Sequence, residues 1–180
     1  MKKLTTKQIY QKNQQRTPPG HFENTKIWLH NIRSMHNVGS AFRTADAFGI
    51  SEVILSGYTP VPPRPEISKT ALGAEEFVYW SYADQFSEKV SALKESGFQI
   101  VGMEQTDNSR LLPEFNPHGN LNLCYIFGNE VTGIEQELLT LCNEIVEIPQ
   151  FGKKHSFNVS VSIGIVLYDS LKNRWIPKTI

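Results

Sequence analysis

Short apolar runs alternate with helix-periodic segments along most of the chain. The runs Lys26–His30, Glu52–Leu55, Phe98–Met103, Leu121–Phe127 and Glu144–Ile148 read as strands. Helical patterns separate most of them. Val38, Ala41, Phe42, Ala45 and Phe48 recur at helical spacing, and Gly49 suits the position just past a helix end. Asp84–Ser96 reads as a second helix, with Phe86, Val90 and Leu93 inward and Gly97 closing it. Ile134–Cys142 reads as a third. This alternation predicts an α/β fold on a mostly parallel sheet flanked by helices.

The last element is ambiguous by pattern. Val159, Val161, Ile163 and Ile165 alternate as a strand would, yet apolar positions continue through Val166, Tyr168 and Leu171, and Asn158 is a good helix N-cap. It is taken as a buried helix in which Ser160, Ser162 and Gly164 permit close packing. Thr59–Pro65 is rigid and extended by composition. It suits a surface loop beside a site, or a polyproline ligand for a partner domain. The return to structured sequence at Lys69–Ala74 favours the loop. Leu112–Asn120, with Pro113, Pro117 and Gly119, reads as another loop.

At 180 residues the chain fits one domain with a sizeable core, and its 39% apolar and 20% charged content is ordinary for a soluble protein. The formal net charge is zero, so no global field draws it to nucleic acid or membrane. Charge is uneven, however. Met1–Phe22 carries Lys2, Lys3, Lys7, Lys12 and Arg16 and no acid. That stretch is either an arm for phosphates or a solubilising, partly frayed terminus. Cys124 and Cys142 sit in apolar contexts without Cys-x-x-Cys spacing, which fits buried thiols in a reducing compartment. No apolar run approaches membrane-spanning length, and the N-terminus lacks the apolar core of a secretory signal. A cytoplasmic location is expected.

Three polar, glycine-punctuated segments carry the candidate chemistry, each at a strand-to-helix transition. Ligands of open α/β sheets bind there, at the carboxyl ends of the strands. In the first, Asn31 to Arg43, Arg43 falls opposite the apolar stripe of its helix. It is either a solvated surface arginine or one aimed at an anion. Asn37, Gly39 and Ser40 crowd the helix N-terminus, where free N–H groups favour a phosphate. In the second, Phe127 to Ile134, an apolar strand runs into Gly128-Asn129-Glu130. Here Glu130 is either a first-turn charge or a site residue. In the third, Ile148 to Ser160, Lys153, Lys154 and His155 either contact phosphates or solvate a loop, and Ser156 or Asn158 caps the last helix. There is no dinucleotide fingerprint, no Walker-type loop and no hydrolase elbow, and the five histidines lack metal-ligand spacing. His36 suits helix entry rather than chemistry.

Taken in order, Asn37-Val-Gly-Ser-x-x-Arg43-Thr, Phe127-Gly-Asn-Glu130-x-x-Gly133-Ile, and Ile148-Pro with Ser156-Phe-Asn158-Val-Ser-Val resemble the three motifs of the SpoU (TrmH-type) branch of the SPOUT RNA methyltransferases. The resemblance spans roughly Lys26 to Leu171. Phe157 stands where relatives often have Leu. The resemblance implies a SPOUT fold over residues 25–180 after a basic extension at 1–24, with five or six parallel strands and a C-terminal deep trefoil knot. It implies S-adenosylmethionine held in the knot, largely by backbone groups, at Met103, Glu104, Gln105, Gly128, Ile148, Ser156 and Phe157. S-adenosylhomocysteine would be the product, with no metal. It implies a homodimer whose site is completed across the interface. The reaction implied is methyl transfer to a ribose 2′-hydroxyl of tRNA or rRNA, with neither DNA nor membrane as partner.

Arg43, Asn37, Glu130, Ser156 and Asn158 are then the expected catalytic set. A guanidinium stays protonated in proteins. Arg43 is therefore expected to grip the phosphate beside the target ribose and stabilise the developing alkoxide, rather than act as base. Asn37, Ser156 and Asn158 would orient Arg43 and the ribose, and Glu130 would neutralise or position Arg43. The alternatives are a non-catalytic protein binding RNA or S-adenosylmethionine on the same fold, and a base-methylating knotted enzyme. A cysteine-nucleophile route is disfavoured, because neither Cys lies in a motif loop. The short lead before the first strand leans toward tRNA. The N-terminal arm, Lys153, Lys154 and the Lys172–Lys178 tail are the expected RNA contacts, of modest, salt-sensitive affinity.

Overall fold

Side chains on successive strand residues point to opposite faces, and here both faces are apolar. The computed structural model describes residues 1–15, 24–117 and 122–175. Its strands are β1 (Thr25–His30), β2 (Glu52–Ser56), β3 (Trp80–Ala83), β4 (Phe98–Met103), β5 (Arg110–Leu111), β6 (Asn122–Phe127) and β7 (Glu144–Glu147). They form one sheet in the order β3-β2-β1-β6-β4-β7-β5, with every pairing parallel. The helices are α1 (Thr6–Gln14), α2 (Met35–Phe48), α3 (Pro65–Ala71), α4 (Phe86–Glu95), α5 (Gln136–Leu139) and α6 (Val159–Trp175). Ile27, Leu29, Val53, Leu55, Leu123 and Tyr125 face α2, α3 and α6. Trp28, Ile54, Ile100, Cys124 and Ile126 face α4 and α5. The result is a three-layer sandwich whose strands, buried on both faces, are continuous apolar runs.

Several expectations need correction. The sheet has seven strands rather than five or six. The extra two, β3 and β5, are short edge strands, each paired on one side only. Such strands carry no full apolar run. The helix expected over Ile134–Cys142 is a single turn, Gln136–Leu139. The proline loop leads into α3, which starts on Pro65 and packs on α2 through Ile67 and Ala71. The helix reading of the last element holds, but α6 is half-buried. Val159, Ile163, Val166 and Leu167 face the core, while Val161 and Tyr168 are exposed. Among the described residues of the chain nothing lies within 4 Å of a Cβ placed on Gly164, so no close packing is seen at that glycine.

The N-terminal stretch folds as a helix capped by the reciprocal Thr5–Gln8 bonds, with no buried residue. Arg16 to Phe22, Leu121, residues 118–120 of the second loop and Pro177–Lys178 of the tail lie outside the described residues. Cys124 is fully buried and Cys142 half-buried, both free. Burial pushes both thiols up, Cys142 to about 11.

Two features pin the amino end of the sheet and the helical layer. At the first, Glu52 accepts from Lys26 (2.6 Å), Lys89 (3.3 Å) and Ser81 (2.5 Å). Burial alone would raise its carboxyl, but these partners outweigh it and hold the group below the usual carboxylate range. The second is Gly39, where α2 crosses α3. A Cβ there would lie 2.2 Å from the Ile67 carbonyl and 2.2 Å from Thr70 Oγ1. The carbonyl is backbone and cannot step aside. Gly39→Ala is therefore expected to cost about 2–3 kcal/mol of folding stability through overpacking. Urea denaturation of the variant beside wild type measures it.

Candidate functional site

Helix α2 begins with Ser34, whose Oγ accepts from Asn37 N at 3.3 Å. The N–H groups of Arg33 and Ser34 donate to Glu130 at 2.9 and 3.1 Å. The sequence leads one to expect a phosphate at this N-terminus. The anion found there is the protein's own Glu130, and Gly39 sits a turn further on against α3. Asn37 Nδ2 also donates to Glu130, at 2.8 Å. Asn158 Nδ2 donates to Asn37 Oδ1 at 3.1 Å, and Asn158 Oδ1 accepts from Ser160 N at 2.9 Å. The three motif segments thus meet in one relay from Glu130 through Asn37 and Asn158 to the start of α6. Asn158, rather than Ser156, is the cap of that helix.

Burial raises the Glu130 carboxyl, but hydrogen bonds from Arg33 N–H, the Asn37 amide and Ser34 N–H outweigh it and leave the group below its ordinary value. Glu130 therefore stays ionised at neutral pH. Among the described residues of the chain it makes no ion pair with Arg43. The reason is helical. Arg43 lies six positions after Asn37, about 9 Å along the axis and about 120° around it. Asn37 faces the relay while Arg43 stands exposed on another side of α2.

A cavity of about 380 Å³ opens at the carboxyl ends of β4, β6 and β7, within the range of small-molecule sites. All seven expected cofactor residues line it: Met103, Glu104, Gln105, Gly128, Ile148, Ser156 and Phe157. Glu130 lines it too, whereas Asn37, Asn158 and Arg43 do not. Glu104 takes up backbone N–H groups, accepting from Gln105 at 3.0 Å and Ile134 at 2.9 Å. Gln105 Nε2 donates to the His155 carbonyl at 2.7 Å, joining the loop after β4 to the loop after β7. Glu104, Glu130 and Glu147 line the cavity, and among the described residues no lysine or arginine does. That donor set suits a cationic ligand, and S-adenosylmethionine, with its sulfonium and ammonium, fits it. Lys153 and Lys154 lie exposed on the loop outside.

Sequence reasoning left two groups without a role. Asn129, buried, donates from Nδ2 to the Asn31 carbonyl (2.9 Å) and to the Tyr58 hydroxyl (2.7 Å). Its Oδ1 accepts from the N–H of Val131 (2.8 Å) and Thr132 (2.9 Å). Its place between the two glycine-loop residues Gly128 and Glu130 was the available signal. The other is buried His30, with Nε2 2.7 Å from Glu135 and Nδ1 2.6 Å from Ser56 Oγ, which also accepts from Trp28 Nε1 at 2.7 Å. This second network ties the ends of β1 and β2 to the residue that opens α5. A histidine inside an apolar run gave no sign of it.

Comparison with known proteins follows the same outline. Residues 24–168 match the model of the SpoU rRNA Methylase family. The chain is 34% identical over 148 residues to the 23S rRNA (guanosine-2′-O-)-methyltransferase RlmB of Neisseria meningitidis serogroup B, which covers 81% of this chain and 57% of that protein. It therefore spans little more than half of that relative's length. An AdoMet-bound rRNA methyltransferase from Sinorhizobium meliloti superposes with a TM-score of 0.78 at 25% identity, covering 86% of this chain and 57% of the other. The A. aeolicus TrmH/SpoU tRNA modifying enzyme superposes with a TM-score of 0.76 at 25% identity, covering 84% and 76%. No described helix is long and apolar enough to cross a membrane.

Two outcomes follow from the relay. A carboxyl whose folded value is lowered stabilises the fold above its unfolded value and loses that contribution as pH falls. The stability advantage of wild type over Glu130→Gln should therefore be constant at neutral pH and shrink as pH drops below 4.5, the ordinary value. Denaturant titrations at several pH values read this directly. Asn37→Asp places a second carboxylate against Glu130, where Asn37 now donates at 2.8 Å. It should lower the melting temperature more than Asn37→Ala, the reverse of what side-chain size alone would give.

Proposed function

This chain belongs to the SpoU rRNA Methylase family, and we propose that it methylates a ribose 2′-hydroxyl of tRNA or rRNA with S-adenosylmethionine. The observation that carries the reading is the relay from Glu130 through Asn37 to Asn158, set against a cavity of cation-suited chemistry. Bound there, S-adenosylmethionine would supply a methyl group already electrophilic on its sulfonium. The protein's own task is then to place the hydroxyl in line and to manage its proton and charge.

Residues Met103 to Gln105, Gly128, Ile148, Ser156 and Phe157 hold the cofactor in this reading, chiefly through strand-end backbone. Glu104 and Gln105 keep those strand ends together by the bonds described above. Asn37 and Asn158, their amides oriented by Glu130, and the neighbouring Ser156 direct the ribose. Arg43 is the group that grips the adjoining phosphate and stabilises the alkoxide.

Arg43 neither lines the cavity nor has a hydrogen-bonding or ionic partner among the described residues. That supports a homodimer in which the partner's Arg43 completes the site. The exposed apolar residues Val161 and Tyr168 on one side of α6 offer surface for such a contact. The knot belongs to the same proposal. The bonds joining the loops after β4, β6 and β7 support it, because α6 leaves from among those loops. Residues 25–180 would form the catalytic domain, with the basic stretch at 1–24 and Lys153 and Lys154 on RNA phosphates.

The deciding experiment is methyl transfer from labelled S-adenosylmethionine into unmodified tRNA and rRNA transcripts, followed by nucleoside analysis. Label in a 2′-O-methylnucleoside is the expected result. Label on a base, or cofactor binding without transfer, overturns it. In the same assay Arg43→Lys should lower kcat at least about 30-fold, since lysine is a point charge where arginine is a two-pronged donor. Near-normal turnover by that variant would remove Arg43 from its assigned part.

A further inference from the structure

We infer that Tyr58 is a stacking platform for a nucleobase of the RNA, next to the ribose that is methylated; this rests on the reading above. Tyr58 follows β2 at the carboxyl end of the sheet, and it is 59% exposed. Exposure alone would mean little for a tyrosine. What distinguishes this ring is that it is held at both ends. Its backbone N–H donates to Asn31 Oδ1 at 3.2 Å. Its hydroxyl accepts from Asn129 Nδ2 at 2.7 Å.

Neither holder is free to turn. Asn129 uses both amide protons and accepts twice at its oxygen, so each polar position of its side chain is spent. Asn31 sits at φ 57°, a conformation uncommon outside glycine, with its carbonyl taken by Asn129. The adjoining Gly57 has φ 63°, and a Cβ there would stand 1.9 Å from Asn31 Oδ1. Only glycine lets that side chain reach the Tyr58 amide. Tyr82 adds a hydrogen bond from its hydroxyl to the Gly57 carbonyl. The protein has spent four residues on fixing an aromatic ring that does not serve its core.

Position gives that ring a use. Asn129 itself lines the cavity, so the Tyr58 hydroxyl is one hydrogen bond from its wall. Arg33, exposed, lies between Asn31 and Ser34 and donates its N–H to Glu130. A ribose brought to this mouth carries a base that has left its stack, as do its neighbours in a single strand. Proteins replace that lost stacking with aromatic faces, and a preset ring does so at low entropic cost. The Tyr58 hydroxyl, having accepted from Asn129, keeps its own proton to donate. Phe151 is more exposed, at 97%, but no hydrogen bond holds its ring.

The test uses the full chain with unmodified tRNA and rRNA transcripts. Tyr58→Leu keeps apolar bulk and loses the π-face. It should raise KM for RNA about tenfold, with kcat within about twofold and S-adenosylmethionine affinity unchanged. Tyr58→Phe, which keeps the face and loses the pin, should fall between Leu and wild type. A Leu variant with wild-type KM overturns the inference. So does a raised KM accompanied by a changed solution mass, which would make Tyr58 a contact between copies of the chain. Photocrosslinking of wild type to 4-thiouridine-substituted transcripts gives a readout that needs no turnover and no folded variant. The peptide bearing Tyr58 should carry the adduct, and adducts that spare it count against the inference. Crosslinking at Tyr58 without methyl transfer would sink the proposed reaction while leaving the platform standing.

Discussion

The Glu130 carboxylate can only accept hydrogen bonds, and that one-sidedness travels. Asn37 must turn its NH₂ toward it, so the Asn37 oxygen faces Asn158. Asn158 must then present its own NH₂, which leaves its oxygen for the first turn of α6. An amide is otherwise free to flip. Here two amides and a helix start are set by a single fixed charge. The same carboxylate takes the N–H groups that open α2. The entry of one helix, the glycine loop after β6 and the entry of the last helix are thereby one unit.

The two ends of the sheet divide the work. At the amino end Glu52 gathers Lys26, Lys89 and Ser81 into a cluster whose charges are matched within the protein. At the carboxyl end, beyond the His30–Ser56 pair that joins β1 and β2, polar groups reach from loop to loop. Asn129, Glu104 and Gln105 stitch the loops after β1, β4, β6 and β7 while leaving a cavity between them. Parallel strands make this asymmetry possible, because every strand delivers its carboxyl end to the same side.

Charge then sorts a ligand by its parts. Glu104, Glu130 and Glu147 make the cavity wall acidic, which favours a cation and disfavours phosphate. Lys153 and Lys154 lie on the exposed loop beside it. In the proposed reaction a polyanion would touch the rim and admit only a ribose. A protein of zero net charge can handle RNA in this way, since what matters is where its charges stand.

Local periodicity determined much of the scaffold. The i, i+3, i+4 stripe of α2 and the strands at Phe98–Met103 and Lys26–His30 depend on neighbours in the chain, so they are legible in the residue pattern alone. The polar residues of the three motifs are legible too, as positions and as a family resemblance. Their partners are not. Asn37 reaches Glu130 across 93 residues, Asn158 reaches Asn37 across 121, and Asn129 reaches Tyr58 across 71. Spacing along a chain carries no information about such pairs, because the sheet order that brings the loops together is set by burial of both its faces. For that reason the spacing of the motifs does not reveal that Asn37 meets Glu130 within the chain. Likewise β3 and β5, which lean on one neighbour each, and the outward face of α6 are consequences of packing. The sequence by itself determined the central strands, the helices α2 and α4 and the polar turns between them; the tertiary structure decided the edge strands and which polar groups meet, because only the folded sheet sets their distances.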